Sequence, residues 1–104
     1  MRTIKSQDGK MIVNAEKMLG NCVYENDGEW FISVFDTWLG DDTVGFLAEY
    51  STEKRALRVL DMLNEWLTEN APQESEFNNR SAYASYCLAY NRFQMPQDSE
   101  ELDA

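Results

Sequence analysis

The sequence contains no histidine. That absence removes the commonest general base, the Ser-His and Cys-His pairs of nucleophilic catalysis, and the commonest metal ligand. Cysteine is nearly as scarce. Cys22 and Cys87 form no Cys-x-x-Cys pair, and the simplest expectation is two free, buried thiols. No apolar run approaches the ~18 residues that a membrane span requires. The opening Met1-Arg2-Thr3-Ile4-Lys5-Ser6 meets Gln7 and Asp8 before an apolar stretch forms. An ordinary secretory signal has no room there, and the expected location is cytoplasmic. Positive charge is the last shortage. Nine Lys and Arg face 19 Asp and Glu, for a net charge of −10. Binding to a phosphate backbone draws its affinity from Lys and Arg, so direct nucleic-acid binding is not expected. An acidic surface favours basic partners, and it also serves plain solubility.

What is present is an ordinary globular composition. The chain has 104 residues, 43% of them hydrophobic, which suits one domain with one core. From Gln97 onward four acids fall in eight residues, with Leu102 the one large apolar side chain. The expectation is a single domain over 1–96 and an acidic, disordered tail over 97–104.

The first half reads as strands. Arg2 to Ser6 and Met11 to Asn14 flank an Asp8-Gly9 hairpin signal. Residues 18 to 24, Trp30 to Trp38 and Val44 to Tyr50 follow, separated by the turns Glu25-Asn26-Asp27-Gly28-Glu29 and Leu39-Gly40-Asp41-Asp42. Short connections between successive strands predict an antiparallel meander. The period then changes. Ser51 is placed to cap a helix, and Ala56, Val59, Leu60, Leu63, Trp66 and Leu67 recur at helical spacing. The helix should end near Asn70, before Ala71-Pro72. Tyr83, Tyr86, Cys87 and Tyr90 suit a short helix, with a strand as the alternative, and Arg92 to Met95 looks extended. The predicted fold class is α+β: an antiparallel β-meander of about five strands, one long helix packed on one face through Val59, Leu63 and Trp66, and a short C-terminal helix or strand. Alternation along the central strand puts Trp30, Ile32 and Val34 on one face and Phe31 and Phe35 on the other. One helix covers one face. Either residues 80 to 95 or another protein molecule, a second copy included, must cover the other.

The residues that carry chemistry are few. Asp41-Asp42 falls far short of a cation site. Asp8-Gly9-Lys10 has the spacing of a nuclease fragment, but it lies on a turn with no accompanying acid upstream. No glycine-rich phosphate loop precedes a helix. No cofactor, no metal site and no enzymatic activity are expected. One arrangement is less ordinary. Lys54, Arg58, Asp61, Glu65 and Glu69 share one polar stripe of the long helix, bases first and acids last. The helix dipole favours the reverse order, and two of the i,i+4 pairs repel. A solvent face, tertiary pairs to Arg80 or Lys17, or a surface for a basic partner would each account for it. In a meander the 41–42 turn lies at the end where the helix finishes. Trp38, Asp41, Asp42, Asp61, Glu65 and Glu69 would then gather as a partner-binding surface that imitates nucleic acid.

Ile4-Lys5-Ser6-Gln7-Asp8-Gly9-Lys10, Glu49-Tyr50-Ser51-Thr52-Glu53-Lys54-Arg55-Ala56, Val59-Leu60-Asp61 and Phe93-Gln94-Met95-Pro96 resemble a group of short uncharacterised proteins. That group occurs in phages, prophages and mobile elements of Firmicutes. Many of its members have Leu-Gly-x-Tyr before the helix, where this chain has Leu47-Ala48-Glu49-Tyr50. The resemblance implies no catalytic residues. It implies a setting in which small acidic proteins counter host defences, including as anti-CRISPR inhibitors. The expectation that follows is an acidic interaction protein that inhibits a basic, nucleic-acid-handling host factor, such as a nuclease complex, by occupying its binding surface. The rivals are an oligomeric structural module, as a homodimer through the second sheet face, and a small-ligand sponge for a signalling nucleotide.

Overall fold

A computed structural model describes residues 2–18, 20–35 and 43–99, without the side chains of residues 43–45. In chain order the elements are β1 (Thr3–Lys5), β2 (Ile12–Asn14), β3 (Gly20–Asn26), β4 (Glu29–Phe35), β5 (Thr43–Tyr50), α1 (Glu53–Leu67), α2 (Arg80–Asn91) and β6 (Arg92–Gln94). Short 3-10 turns cover Ala15–Lys17 and Glu74–Glu76.

The fold is α+β, but it is not one meander. The strands divide into two three-stranded sheets, β2-β1-β6 and β3-β4-β5. The Asp8-Gly9 turn closes the β1–β2 hairpin, with Gly9 at φ +75°. The 3-10 turn then carries the chain out of that sheet before β3 begins. The free side of β1 is filled from the far end of the chain by β6, which runs parallel to it, Ile4 opposite Phe93. The second sheet is antiparallel throughout. Its β3–β4 hairpin turns on Asp27 at φ 53° and Gly28 at φ +83°. This type I′ turn, with left-handed backbone at both central residues, matches the twist of the flanking strands. Between β4 and β5 the register slips at Leu47, because Ala48 pairs with Ile32 and Phe46 with Ser33. The extra residue breaks alternation, so that the successive Leu47 and Ala48 are both buried.

Helix α1 lies across one face of β3-β4-β5 and buries Ala56, Val59, Leu63 and Trp66. They meet Ile32, Val34, Leu47 and Tyr50 from that sheet and Ile4, Val13 and Met95 from around the other. Alternation along β4 is as expected, with Ile32 and Val34 buried and Trp30 packed against the same core. The helix cap is Thr52 rather than Ser51: the Thr52 hydroxyl accepts from the Arg55 N–H. Ser51 instead donates through its N–H and hydroxyl to Asp98. Asp98 also pairs with Arg55 at 3.4 Å, and Gln97 donates to the Gln7 carbonyl. Two residues assigned to the tail by composition are thus bonded to the domain. Residues 100–104 lie outside the described part.

The last third contains both alternatives in succession, a helix and then a strand. Asn79 caps α2 by accepting from the Ala82 N–H. This helix buries no residue of its own. It is held where Trp66 Nε1 donates to the Ala89 carbonyl at 2.8 Å. Both cysteines are free thiols, but each is half-buried rather than part of the core. Cys22 faces outward from β3, and Cys87 lies on the loosely packed α2.

Arg2 joins these parts. Its guanidinium donates to the Trp66 and Leu67 carbonyls at the C-terminal end of α1 and to the Tyr90 carbonyl of α2. It also sits 4.0 Å from the Trp66 ring centroid and 3.9 Å from that of Tyr90. The last carbonyls of a helix have no partner within the helix and carry its negative dipole end, so a cation there serves both needs.

Two measurements check this account. Leu63→Ala should destabilise the domain by ~2–5 kcal/mol in chemical denaturation, as expected for a fully buried leucine. Arg2→Met should cost about 1.5–3 kcal/mol through lost charged hydrogen bonds, with Arg2→Lys recovering only part because it lacks the planar fork. A loss under about half a kcal/mol for either would place that side chain at the surface, where substitutions have effects of that size.

Candidate functional site

Three groups of residues come forward as candidates. The first is the sequence-predicted acidic surface. Asp61 and Glu65 are exposed on the outer side of α1, and Glu69 is exposed just past its Thr68 cap. The middle of this stretch passes the start of β3, where Asn21 Nδ2 donates to Asn64 Oδ1 at 3.0 Å. Of the bases offered as tertiary partners, Arg80 instead pairs with Glu74 at 3.6 Å, both well exposed. Trp38, Asp41 and Asp42 lie outside the described residues, so the gathering of all six is without a structural account. Three of them form a solvent-facing stripe.

The second candidate is the carboxylate of Asp8, the one acid with the spacing of a nuclease fragment. Its Oδ1 accepts from the Ser6 hydroxyl at 2.7 Å and from the Lys10 N–H at 2.9 Å. These bonds, the Ser6 hydroxyl first, hold its carboxyl below the ordinary 3.8. Ser6 Oγ in turn accepts from the Met11 N–H, so the arrangement fastens the β1–β2 turn. Among the described residues no group of three or more metal-ligating side chains comes together. No helix among them is long and apolar enough to cross a membrane.

The third candidate is the face of β3-β4-β5 turned away from α1. Residues 80 to 95 do not close it, because α2 and β6 are taken up with Trp66 and with β1. Tyr24 remains 41% exposed and Phe46 53% exposed. Between them lies the half-buried Phe31, stacked on Tyr24 at 5.4 Å and edge-on to Phe46 at 4.9 Å between ring centroids. The cross-strand register places these rings. Tyr24, Phe31 and Glu49 form one row across the three strands, and Cys22, Ser33 and Phe46 form the next. Glu29 precedes Phe31 by two residues and so projects from the same face. Glu29 and Glu49 are both exposed.

No Lys or Arg occurs anywhere in β3, β4 or β5. Lys5 and Arg92 lie on the other sheet, where with Thr3, Ile12 and Gln94 they line a shallow depression. The molecule therefore has a face that is both aromatic and anionic. Exposed rings beside carboxylates suit the flat cation of an arginine, which stacks on the ring and binds the acid. The sequence did flag Phe31 and Phe35 as an unsatisfied face. It did not single out Tyr24, Phe46, Glu29 or Glu49, because cross-strand register brings them together.

No protein-family model matches the chain, and neither does any curated protein or solved structure.

The Asp8 geometry has a measurable consequence. Ser6→Ala should raise the Asp8 titration midpoint toward 3.8, read by side-chain carboxyl NMR. Because the folded value is lowered, the stabilisation is present above the ordinary carboxylate value and disappears as pH falls through the folded one. In Ser6→Ala that acid-side loss of stability should shrink. An unchanged midpoint would show that the Ser6 hydroxyl does not hold the carboxylate.

Proposed function

We propose that this chain is an acidic interaction protein that binds a basic, nucleic-acid-handling protein and occupies the surface that protein uses for nucleic acid. The observation that carries the reading is the open face of β3-β4-β5. It exposes Tyr24 and Phe46 and sets Glu29 and Glu49 beside Phe31, on strands without a single cation. Phosphate-binding surfaces are rich in Lys and Arg, and such side chains find both rings and carboxylates here. The net charge of −10 adds long-range attraction to the same class of partner. The resemblance to phage and mobile-element proteins supports an anti-defence role, in which the partner is a host nuclease complex.

The acidic stripe of α1 stands apart from this face. Helix α1 covers one side of the sheet and the rings occupy the other, so Asp61 and Glu65, and Glu69 just beyond the end of the helix, lie apart from the aromatic surface. Their role is to attract and steer rather than to dock. The helix ends at Leu67 rather than near Asn70, so Glu69 lies past its Thr68 cap. Of the two like-charge pairs only Asp61/Glu65 repels at i,i+4 spacing within the helix, and that pair adds nothing to helix stability.

The test is capture from a bacterial lysate on the immobilised chain, followed by kinetics with the captured protein. The expected partner loses its grip on DNA or RNA as the chain is added. Its association should slow several-fold between low salt and physiological ionic strength, where the Debye length is ~8 Å. Phe46→Ser with Glu49→Gln should abolish capture. Replacing Asp61, Glu65 and Glu69 with Asn, Gln and Gln should slow association several-fold and leave the melting temperature unchanged or slightly higher. A captured protein that keeps its nucleic-acid binding in full would overturn the inhibitory reading. The exposed rings also suit the oligomeric module. A stable dimer in light scattering, dissociated by Phe46→Glu, would decide for that rival.

A further inference from the structure

The two edges of the β3-β4-β5 sheet are treated differently. On the β5 side, Gln7 acts as a substitute strand. Its backbone N–H donates to the Leu47 carbonyl at 2.8 Å. Its side-chain amide both donates to the Glu49 carbonyl and accepts from the Glu49 N–H, each at 3.0 Å. That edge is capped at Leu47 and Glu49. Strand β3 forms the other edge, and among the described residues no further strand pairs with it.

The hairpin turn fixes which groups of β3 face outward. In a two-residue I′ hairpin the residues flanking the turn exchange both backbone hydrogen bonds. Asn26 and Glu29 are those residues. Bonded pairs then recur at every second position, as Tyr24 with Phe31 and Cys22 with Ser33. Val23 and Glu25 fall between them, and their N–H and C=O groups point away from β4. This gives two donors and two acceptors on one exposed edge, spaced as a strand requires. The start of β3 is tied to α1 through Asn21, whereas Tyr24, Glu25 and Asn26 are exposed. Edges of this kind attract other strands unless they are covered or blunted.

We infer that the outer edge of β3 accepts an extended, arginine-bearing segment of the partner as a fourth strand. The inference rests on the basic-partner reading and adds the mode of binding to it. Main-chain bonds to Val23 and Glu25 hold the segment in register, and its side chains alternate between the two faces. Those beside Tyr24 emerge on the open face. From there a guanidinium stacks on the Tyr24 ring. Charge decides the occupant. The sheet contributes Glu25, Glu29 and Glu49 and no cation, so an acidic segment is repelled. A second copy brings a net charge of −10 to a chain that already carries −10.

The probe is a synthetic peptide of alternating valine and arginine, with two relatives. One carries backbone N-methyl groups on the residues that would bond to Val23 and Glu25, and the other has glutamate for arginine. The parent peptide should bind and slow amide exchange at Val23 and Glu25, measured by NMR on the full chain. Methylation should weaken binding about tenfold or more, the equivalent of one or two net hydrogen bonds. The glutamate peptide should not bind. Glu25→Pro, which deletes an outward N–H without touching the β4 ladder, should weaken binding by a similar factor, whereas Glu25→Gln should do so only about threefold, as loss of one exposed charge would. If Glu25→Pro unfolds the chain, the methylated peptide and the exchange data on the wild type still decide. Binding that shifts Tyr24 and Phe46 without protecting Val23 and Glu25, and that tolerates methylation, would overturn strand addition and leave the open-face reading standing. Failure of the arginine peptide to bind at all would overturn both. Protection of the two amides without peptide, rising with protein concentration, would assign the edge to a second copy.

Discussion

The guanidinium of Arg2 is the constraint on which the tertiary arrangement rests. It sits where β1, the end of α1 and the end of α2 converge, and it touches all three kinds of group found there. Helix carbonyls accept its hydrogen bonds, the helix dipole favours its charge, and the Trp66 and Tyr90 rings enclose it on two sides. Lysine would place a point charge there without the planar fork that spans carbonyls from two helices. With Arg2 fixed, β1 is fixed. β2 and β6 then have an edge on each side of it to pair with, and Trp66 is held where it bonds Ala89 and packs against Phe93.

This arrangement explains why one face of the larger sheet stays open. The elements that might have closed it are engaged elsewhere. Helix α1 packs on one face of the larger sheet and supplies buried side chains to a core that also takes in Ile4, Val13 and Met95. β6 is committed to β1, and α2 is drawn to the end of α1. The buried Tyr50 hydroxyl donates to the Pro96 carbonyl, and Asp98 reaches Ser51 and Arg55, so the chain leaves along the β5 side. What remains uncovered is the aromatic surface of Tyr24, Phe31 and Phe46. Other apolar side chains are also exposed, Ile12, Leu57, Tyr86 and Leu88 among them, but on this face two exposed rings flank a third and stack on it.

The charges follow the same division. The larger sheet holds acids and no bases, while Lys5 and Arg92 lie on the smaller one. A molecule with this polarity has a defined side to present to a cationic partner, which net charge alone would not provide. Two carboxylates fasten the fold. Asp8 fastens a turn through bonds from Ser6 and Lys10, and Asp98 ties the segment after β6 to Ser51 and Arg55.

Local pattern in the sequence determined the elements. Helical spacing from Ala56 to Trp66 specified α1 and its buried stripe, alternation in β4 specified its inner face, and Asp8-Gly9 and the 25–29 turn specified the β1–β2 and β3–β4 hairpins. These signals are legible because each depends on residues a few positions apart. The sequence also marked Phe31 as an apolar side chain in need of cover. Pairing between distant segments was decided by tertiary structure alone. The parallel union of β1 with β6 turns one expected meander into two sheets, since no local feature of Arg92-Phe93-Gln94 names its neighbour. The bulge at Leu47 sets which β5 residues face the rings, and register is a property of two strands together. The placement of α2 away from the open face depends on Arg2 and Trp66, 64 residues apart in sequence, with the guanidinium 4.0 Å from the ring centroid. A short interaction between residues far apart in the chain leaves no periodicity to read, and for that reason the candidate site became visible only in three dimensions.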